Sequence, residues 1–161
     1  MTVKQEVKGQ LAKLLATEDL IVEHKRVETA QFNVQTRVLT LPVWEKASND
    51  VYDMLVGHEV GHALYTPDEE WWEEYDINPN FVNIAEDARV EKLMKRKYAG
   101  IAKTFYRGYN DLNNSDFFEV DGKDINSLNL ADRANLHFKI GAFTNISFST
   151  PEKEIIDLIA N

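Results

Sequence analysis

The chain has no cysteine among its 161 residues. That removes disulfides, thiolate metal sites and cysteine nucleophiles together. A transition metal would have to be held by His, Asp and Glu, and only four histidines exist: His24, His58, His62 and His137. Basic residues are also scarce, with 18 Lys and Arg against 27 Asp and Glu and a formal net charge of -9. Phosphate binding needs a basic face, so nucleic acid is not expected as a partner. No apolar run of signal-peptide length follows Met1, and no stretch is long enough to span a bilayer. The expectation is a cytoplasmic protein with no membrane partner. Disorder is not indicated either, because 43% hydrophobic and 11% aromatic residues suffice for a core.

The patterning predicts an α+β fold in one domain over residues 1–161. A small β-containing part covers about 1–45 and a helical part about 46–100, with a loop-rich and helical part over 101–161. Val3, Val7, Leu11, Leu14 and Leu15 recur at helical spacing and predict a first amphipathic helix. Leu20 to Val22 suits a buried strand. Residues 29–42 read as a hairpin, with Phe32 and Val34 alternating with polar residues, a turn at Gln35-Thr36, and Pro42 ending the second strand.

Ser48 or Asn49 is an N-cap for the next helix, which Pro67 stops. Within it Val51, Leu55, His58, His62 and Tyr65 step by four, three, four and three. Both histidines therefore continue an apolar stripe. Residues 66–80 are acidic and turn-like. A further helix is predicted from about Asn80 to Tyr98, stopped by Gly100. Val82, Glu86, Val90 and Leu93 form its inward stripe; Asn83, Asp87, Glu91, Met94 and Tyr98 form the adjoining one. Residues 101–128 read as loop-rich, given Gly108, Asn113-Asn114 and the hairpin-type turn signal Asp121-Gly122. Helices follow at 129–140 and 151–160, the last with Ile155, Ile156 and Ile159 on one face. A protein partner or a missing C-terminal region is expected to cover that face.

The chemistry lies in His58-Glu59-Val60-Gly61-His62. Residues four apart share a helix face, so two imidazoles can reach one metal ion, with Glu59 beside its open position. Imidazole and carboxylate ligands with one open site suit Zn2+ in a hydrolytic role. Glu59 is then the general base for an activated water. A chance match to the motif in this composition has odds of roughly one in a hundred. The plainer alternative is a pair of hydrogen-bonded core histidines. For the third ligand Glu86 is the first choice, with Asp87 and Glu91 as alternatives. A carboxylate left over can accept a hydrogen bond from the far nitrogen of His58 or His62, and Asp87 is first choice for that role.

These residues, with Val56 to Leu64 and the run Asn83-Ile84-Ala85-Glu86-Asp87-Ala88-Arg89-Val90-Glu91, resemble the gluzincin zinc metallopeptidases. More specifically they resemble uncharacterised peptidases encoded by tailed phages, and the second helix is similar to bacterial proteins related to cobalt-chelatase subunits. The resemblance covers about residues 29–98. It implies a zincin-like fold, Zn2+ as cofactor, a peptide or protein substrate, and the host cytoplasm if the chain is phage-encoded. It also implies an edge strand ahead of the active-site helix that holds extended substrate, a place taken by Arg37 to Leu41. Many gluzincins carry an Asp four residues after the ligand Glu; here that position is Val90, whereas Asp87 and Glu91 have the four-residue spacing.

Tyr98, Tyr106, Arg107, Tyr109 and His137 are undistinguished candidates for oxyanion stabilisation. His24, in a charged run, is expected to be solvated. Trp71-Trp72 is a substrate subsite or an aromatic pair under a loop. The expected function is zinc-dependent peptide-bond hydrolysis, an endopeptidase activity. The alternative is an inactive zincin-like binding or assembly module with structural zinc.

Overall fold

A computed structural model describes residues 8, 11–12, 15–18, 20–44, 47–67, 77–115, 117–120 and 122–160. The architecture is α+β: a three-stranded sheet followed by five helices. Of the predicted first helix, Leu11 and Leu15 are described and helical, whereas Val3, Val7 and Leu14 lie outside the described residues, as does Trp71-Trp72.

Strands β1 (Ile21–Lys25), β2 (Gln31–Asn33) and β3 (Val38–Pro42) stand in the order β1-β3-β2. β1 runs parallel to β3 with Ile21 opposite Val38, and β2 runs antiparallel to it with Phe32 opposite Leu39. The hairpin turn forms because the Asn33 side chain accepts from the backbone N–H of Gln35 and Thr36, at 2.9 and 3.0 Å. Arg37 closes it in the left-handed region (φ 60°). Its guanidinium ties the turn to the next helix by donating to the Ala63 carbonyl at 2.7 Å.

The expectation that Arg37 to Leu41 forms an edge strand is corrected here. β3 is the central strand, paired on both sides, and Leu39, Thr40 and Leu41 are all buried. A strand apolar on both faces belongs in the middle of a sheet. The edge beside the histidine-bearing helix is β2. His24, on β1, is half-buried rather than solvated, and its Nε2 has no hydrogen-bond partner among the described residues.

Helix α1 (Asn49–Tyr65) is capped as predicted, Ser48 Oγ accepting from Val51 N at 3.2 Å. It is buried on most sides, with Val51, Tyr52, Met54, Val56, Glu59, Val60 and Gly61 all inside. Two helices flank it: α2 (Pro79–Lys97) and α3 (Ile101–Asn114). Helix α3 replaces the predicted loop. Its buried residues Ile101, Phe105, Gly108, Tyr109 and Leu112 have helical spacing. Gly108 reads as a breaker in the sequence but is a contact device in the fold. A Cβ there would lie 2.5 Å from Met54 Cβ and 2.9 Å from the Asp50 carbonyl oxygen. Gly108→Ala is therefore expected to destabilise the protein by about 1–3 kcal/mol, overpacking outweighing the better helix propensity of alanine. A thermal melt at fixed metal content checks this, and an unchanged or higher Tm would contradict it.

Helix α2 is rotated from its predicted phase. Ile84, Val90, Glu91 and Met94 are buried, while Val82, Glu86 and Leu93 are only half-buried. The inward face thus draws Val90 from the predicted stripe, Glu91 and Met94 from the adjoining one, and Ile84 from neither. Ile84 packs with Ala134 of α4 (Leu130–Ile140) and Ile156 of α5 (Thr150–Ala160). The expected single apolar face of α5 is split accordingly: Ile156 turns inward, and Ile155 and Leu158 are exposed. Among the described residues no helix is long and apolar enough to cross a membrane.

Candidate metal centre

Successive turns of α1 present His58 and His62, and α2 presents Asp87 opposite them. What lets the two helices approach is Gly61, inside the motif. A Cβ at Gly61 would meet Met94 Cγ at 3.1 Å and Val90 Cβ at 3.2 Å. At this close crossing three donor atoms converge. His58 Nε2 lies 3.4 Å from Asp87 Oδ1, His62 Nε2 lies 3.1 Å from the same oxygen, and the two Nε2 atoms are 3.3 Å apart. Among the described residues these three form the group that could hold a metal ion.

The hydrogen bonds behind the rings fix what faces that point. His58 Nδ1–H donates to Glu91 Oε1 at 2.8 Å, and the buried Tyr109 hydroxyl donates to the same oxygen. Thr66 donates its hydroxyl proton to Glu86 Oε1 at 2.8 Å. Its oxygen is thereby left to accept from His62 Nδ1–H at 2.7 Å. Each neutral ring has one N–H, and in both it is spent on Nδ1. When both rings are neutral, two bare Nε2 lone pairs and the Asp87 carboxylate oxygen face one another with no proton between them. Such a meeting of acceptors is relieved by a cation, either a proton on an imidazole or a metal ion.

The surrounding charge points the same way. Glu59, Asp87 and Glu91 supply three carboxylates, and Lys139 of α4 sets its Nζ 3.5 Å from Asp87 Oδ2. With both rings neutral, one ammonium against three carboxylates leaves an excess of two negative charges, which a divalent cation matches. Burial raises the Glu59 carboxyl above its ordinary value, against the opposing pull of His58 and His62. Burial alone would also raise Asp87, but its hydrogen bonds with His58 and His62 and the charge of Lys139 outweigh it and hold the carboxyl far below the usual range.

Burial would lower His58, yet Asp87 and Glu91 prevail and raise its pKa well above 6.5. A proton on His58 is therefore the competitor of a metal ion. In the metal-free protein that proton stabilises the fold fully below about pH 6.5, and the contribution is lost as pH rises through the raised folded-state value. Metal binding follows the opposite course, since it needs the ring neutral. The increase in Tm on adding metal is expected to be small at about pH 6 and to grow toward about pH 8.5. Paired thermal melts check it; a metal-induced shift that shrinks as pH rises would contradict it.

Glu86 does not join the cluster. Its carboxylate receives the Thr66 hydroxyl and both Nη2 and Nε of Arg89, at 2.6 and 3.0 Å. These hydrogen bonds overcome the effect of burial and keep its pKa low. Asp87 rather than Glu86 thus faces the two imidazoles, and the cause is the rotation of α2 described above. Glu91, four residues after Asp87, takes the place behind His58.

Of the five oxyanion candidates only Tyr109 reaches the site, and it does so from behind, through Glu91. Tyr98 donates to the Leu15 carbonyl at 2.7 Å, and Tyr106 and Arg107 are exposed. His137 packs against Phe138 and Phe148. Two participants escaped the sequence reading. Thr66 carried a signal, being four residues after His62 on the same face. Lys139 carried none, because nothing in the sequence ties α4 to the histidine helix.

Beside His62 lies a groove of about 850 Å³, lined by Phe32, Val34, Pro67, Phe81 and Ile155 among others. Another cavity, about 890 Å³, lies by the N-terminal end of α1 among Trp44, Val51, Leu112 and Phe117, and contains none of the clustered groups. Of the two, only the groove contains a member of the donor group, His62. Comparison with protein-family models, curated proteins and solved structures finds no match to this chain.

Proposed function

We propose that this chain is a zinc-dependent peptidase of the zincin type. The observation that carries this reading is the spacing of His58 Nε2, His62 Nε2 and Asp87 Oδ1, which stand 3.1–3.4 Å apart. Bonds of 2.0–2.2 Å to a tetrahedral zinc ion place neighbouring donors about 3.3–3.6 Å apart. The donor types, two imidazoles and a carboxylate, also suit zinc. Three protein donors leave the fourth position for water, the pattern of a catalytic rather than a structural site.

Zinc held there would lower the pKa of a water toward about 7 and polarise a scissile carbonyl. The rest falls to the chain itself. Glu59, buried next to the first histidine and with its carboxyl raised, takes the proton of the attacking water and passes it to the leaving amine. Glu91 and Thr66 hold the rings with Nε2 forward. The groove beside His62 takes apolar side chains of an extended peptide, and the β2 edge lies along it, with Phe32 in its wall. The gluzincin likeness enters this reading in modified form, with Asp in the ligand position and Glu four residues later as the histidine's partner. A cytoplasmic setting and kinship to phage peptidases belong to the same proposal.

The test is cleavage of an unfolded protein by the zinc-loaded chain. Cleavage should stop with a chelator and return when zinc is restored. A zinc-loaded chain that cleaves none of a varied set of unfolded substrates would favour the other reading, a binding or assembly module with structural zinc.

A further inference from the structure

The Asp87 carboxylate has two different neighbours. Oδ1 faces the two histidine nitrogens at 3.1 and 3.4 Å, and Oδ2 faces Lys139 Nζ at 3.5 Å. Lys139 comes from α4, whose other inward residues, Ala134, Leu136 and Ile140, are apolar. Its side chain is only 21% exposed, and among the described residues its ion pair is with Asp87. Holding a lysine in such surroundings costs side-chain entropy and solvation, so the position calls for an explanation beyond packing.

We propose that Lys139 is a positioning residue that holds Asp87 to one metal-facing oxygen and so keeps a coordination position open. An unrestrained carboxylate can turn both oxygens toward a cation and occupy two positions. With Oδ2 committed to the ammonium, Asp87 has only Oδ1 to offer. This inference rests on the metal-centre reading above, and adds to it that the open site is maintained by a residue from a third helix.

The test substitutes cobalt(II) for zinc and reads its visible absorption, which is intense for a four-coordinate ion, weaker for five ligands and weakest for six. Wild type and Lys139→Arg, which keeps the cation, should give intense bands at one cobalt per chain. Lys139→Gln should bind one cobalt with bands several-fold weaker. Lys139→Met, which retains most of the side-chain volume, should weaken them likewise, and circular dichroism identifies which variants are folded. A wild-type spectrum in any folded Gln or Met variant overturns the proposal for Lys139 alone. A wild-type chain that takes up neither cobalt nor zinc overturns the metal centre itself, a separate and distinguishable failure.

Discussion

Glu59→Gln is expected to abolish hydrolysis while leaving the metal in place. Glu59 stands outside the three-atom donor cluster, so its loss removes no ligand. It is buried, only 8% exposed, and burial is the main reason its carboxyl is raised above the ordinary value. Glutamine fills nearly the same volume without the buried charge, so folding should be unharmed. What disappears is the proton acceptor. Positioned general bases contribute roughly a hundred- to ten-thousandfold, and kcat/KM should fall by about that factor with zinc content unchanged. Rate and elemental zinc measured on one preparation check both halves. A Glu59→Gln protein that cleaves at the wild-type rate would show that the proton goes elsewhere.

Asp87 and Glu86 are neighbours in sequence, yet their substitution should have very different consequences. Asp87→Asn removes the charge of a donor atom and leaves Lys139 facing a neutral amide. Changes to the partners behind metal ligands cost about 10- to 100-fold in affinity, and loss of a ligand charge should cost more than that. Glu86 reaches the ring through Thr66, two hydrogen bonds from His62 Nδ1. Glu86→Gln should therefore weaken zinc binding by less than about tenfold. Competition with a chelating dye measures both affinities. Zinc retained in Asp87→Asn and lost in Glu86→Gln would return Glu86 to the ligand position.

The contrast between these two residues also marks how far the sequence can be read. The strands, the capped histidine helix and the helix at 130–140 follow from patterns of period two and 3.6 with their Ser, Asn and Pro boundaries. His58, Glu59 and His62 are legible because one helix fixes their geometry. The third ligand depends on how a second helix is rotated about its own axis. With α1, α4 and α5 all packed on it, α2 has no single apolar face from which to read that rotation. Val82 and Leu93 suggest one phase, and the buried Ile84 and Met94 settle on another. Helix α3 was hidden for a related reason. Gly108 and Asn113-Asn114 resemble loop signals until Met54 is seen to fill the space above the glycine. Lys139 could not be found at all, since its role exists only where α4 meets α2.

Two imidazole nitrogens and one carboxylate oxygen converge in a group that could hold a divalent ion. Zinc stoichiometry tests it most directly, by elemental analysis of the purified protein after dialysis against metal-free buffer. Close to one zinc per chain is expected in wild type and much less in Asp87→Asn. A wild-type protein that holds no zinc, and regains none when zinc is supplied, would contradict it.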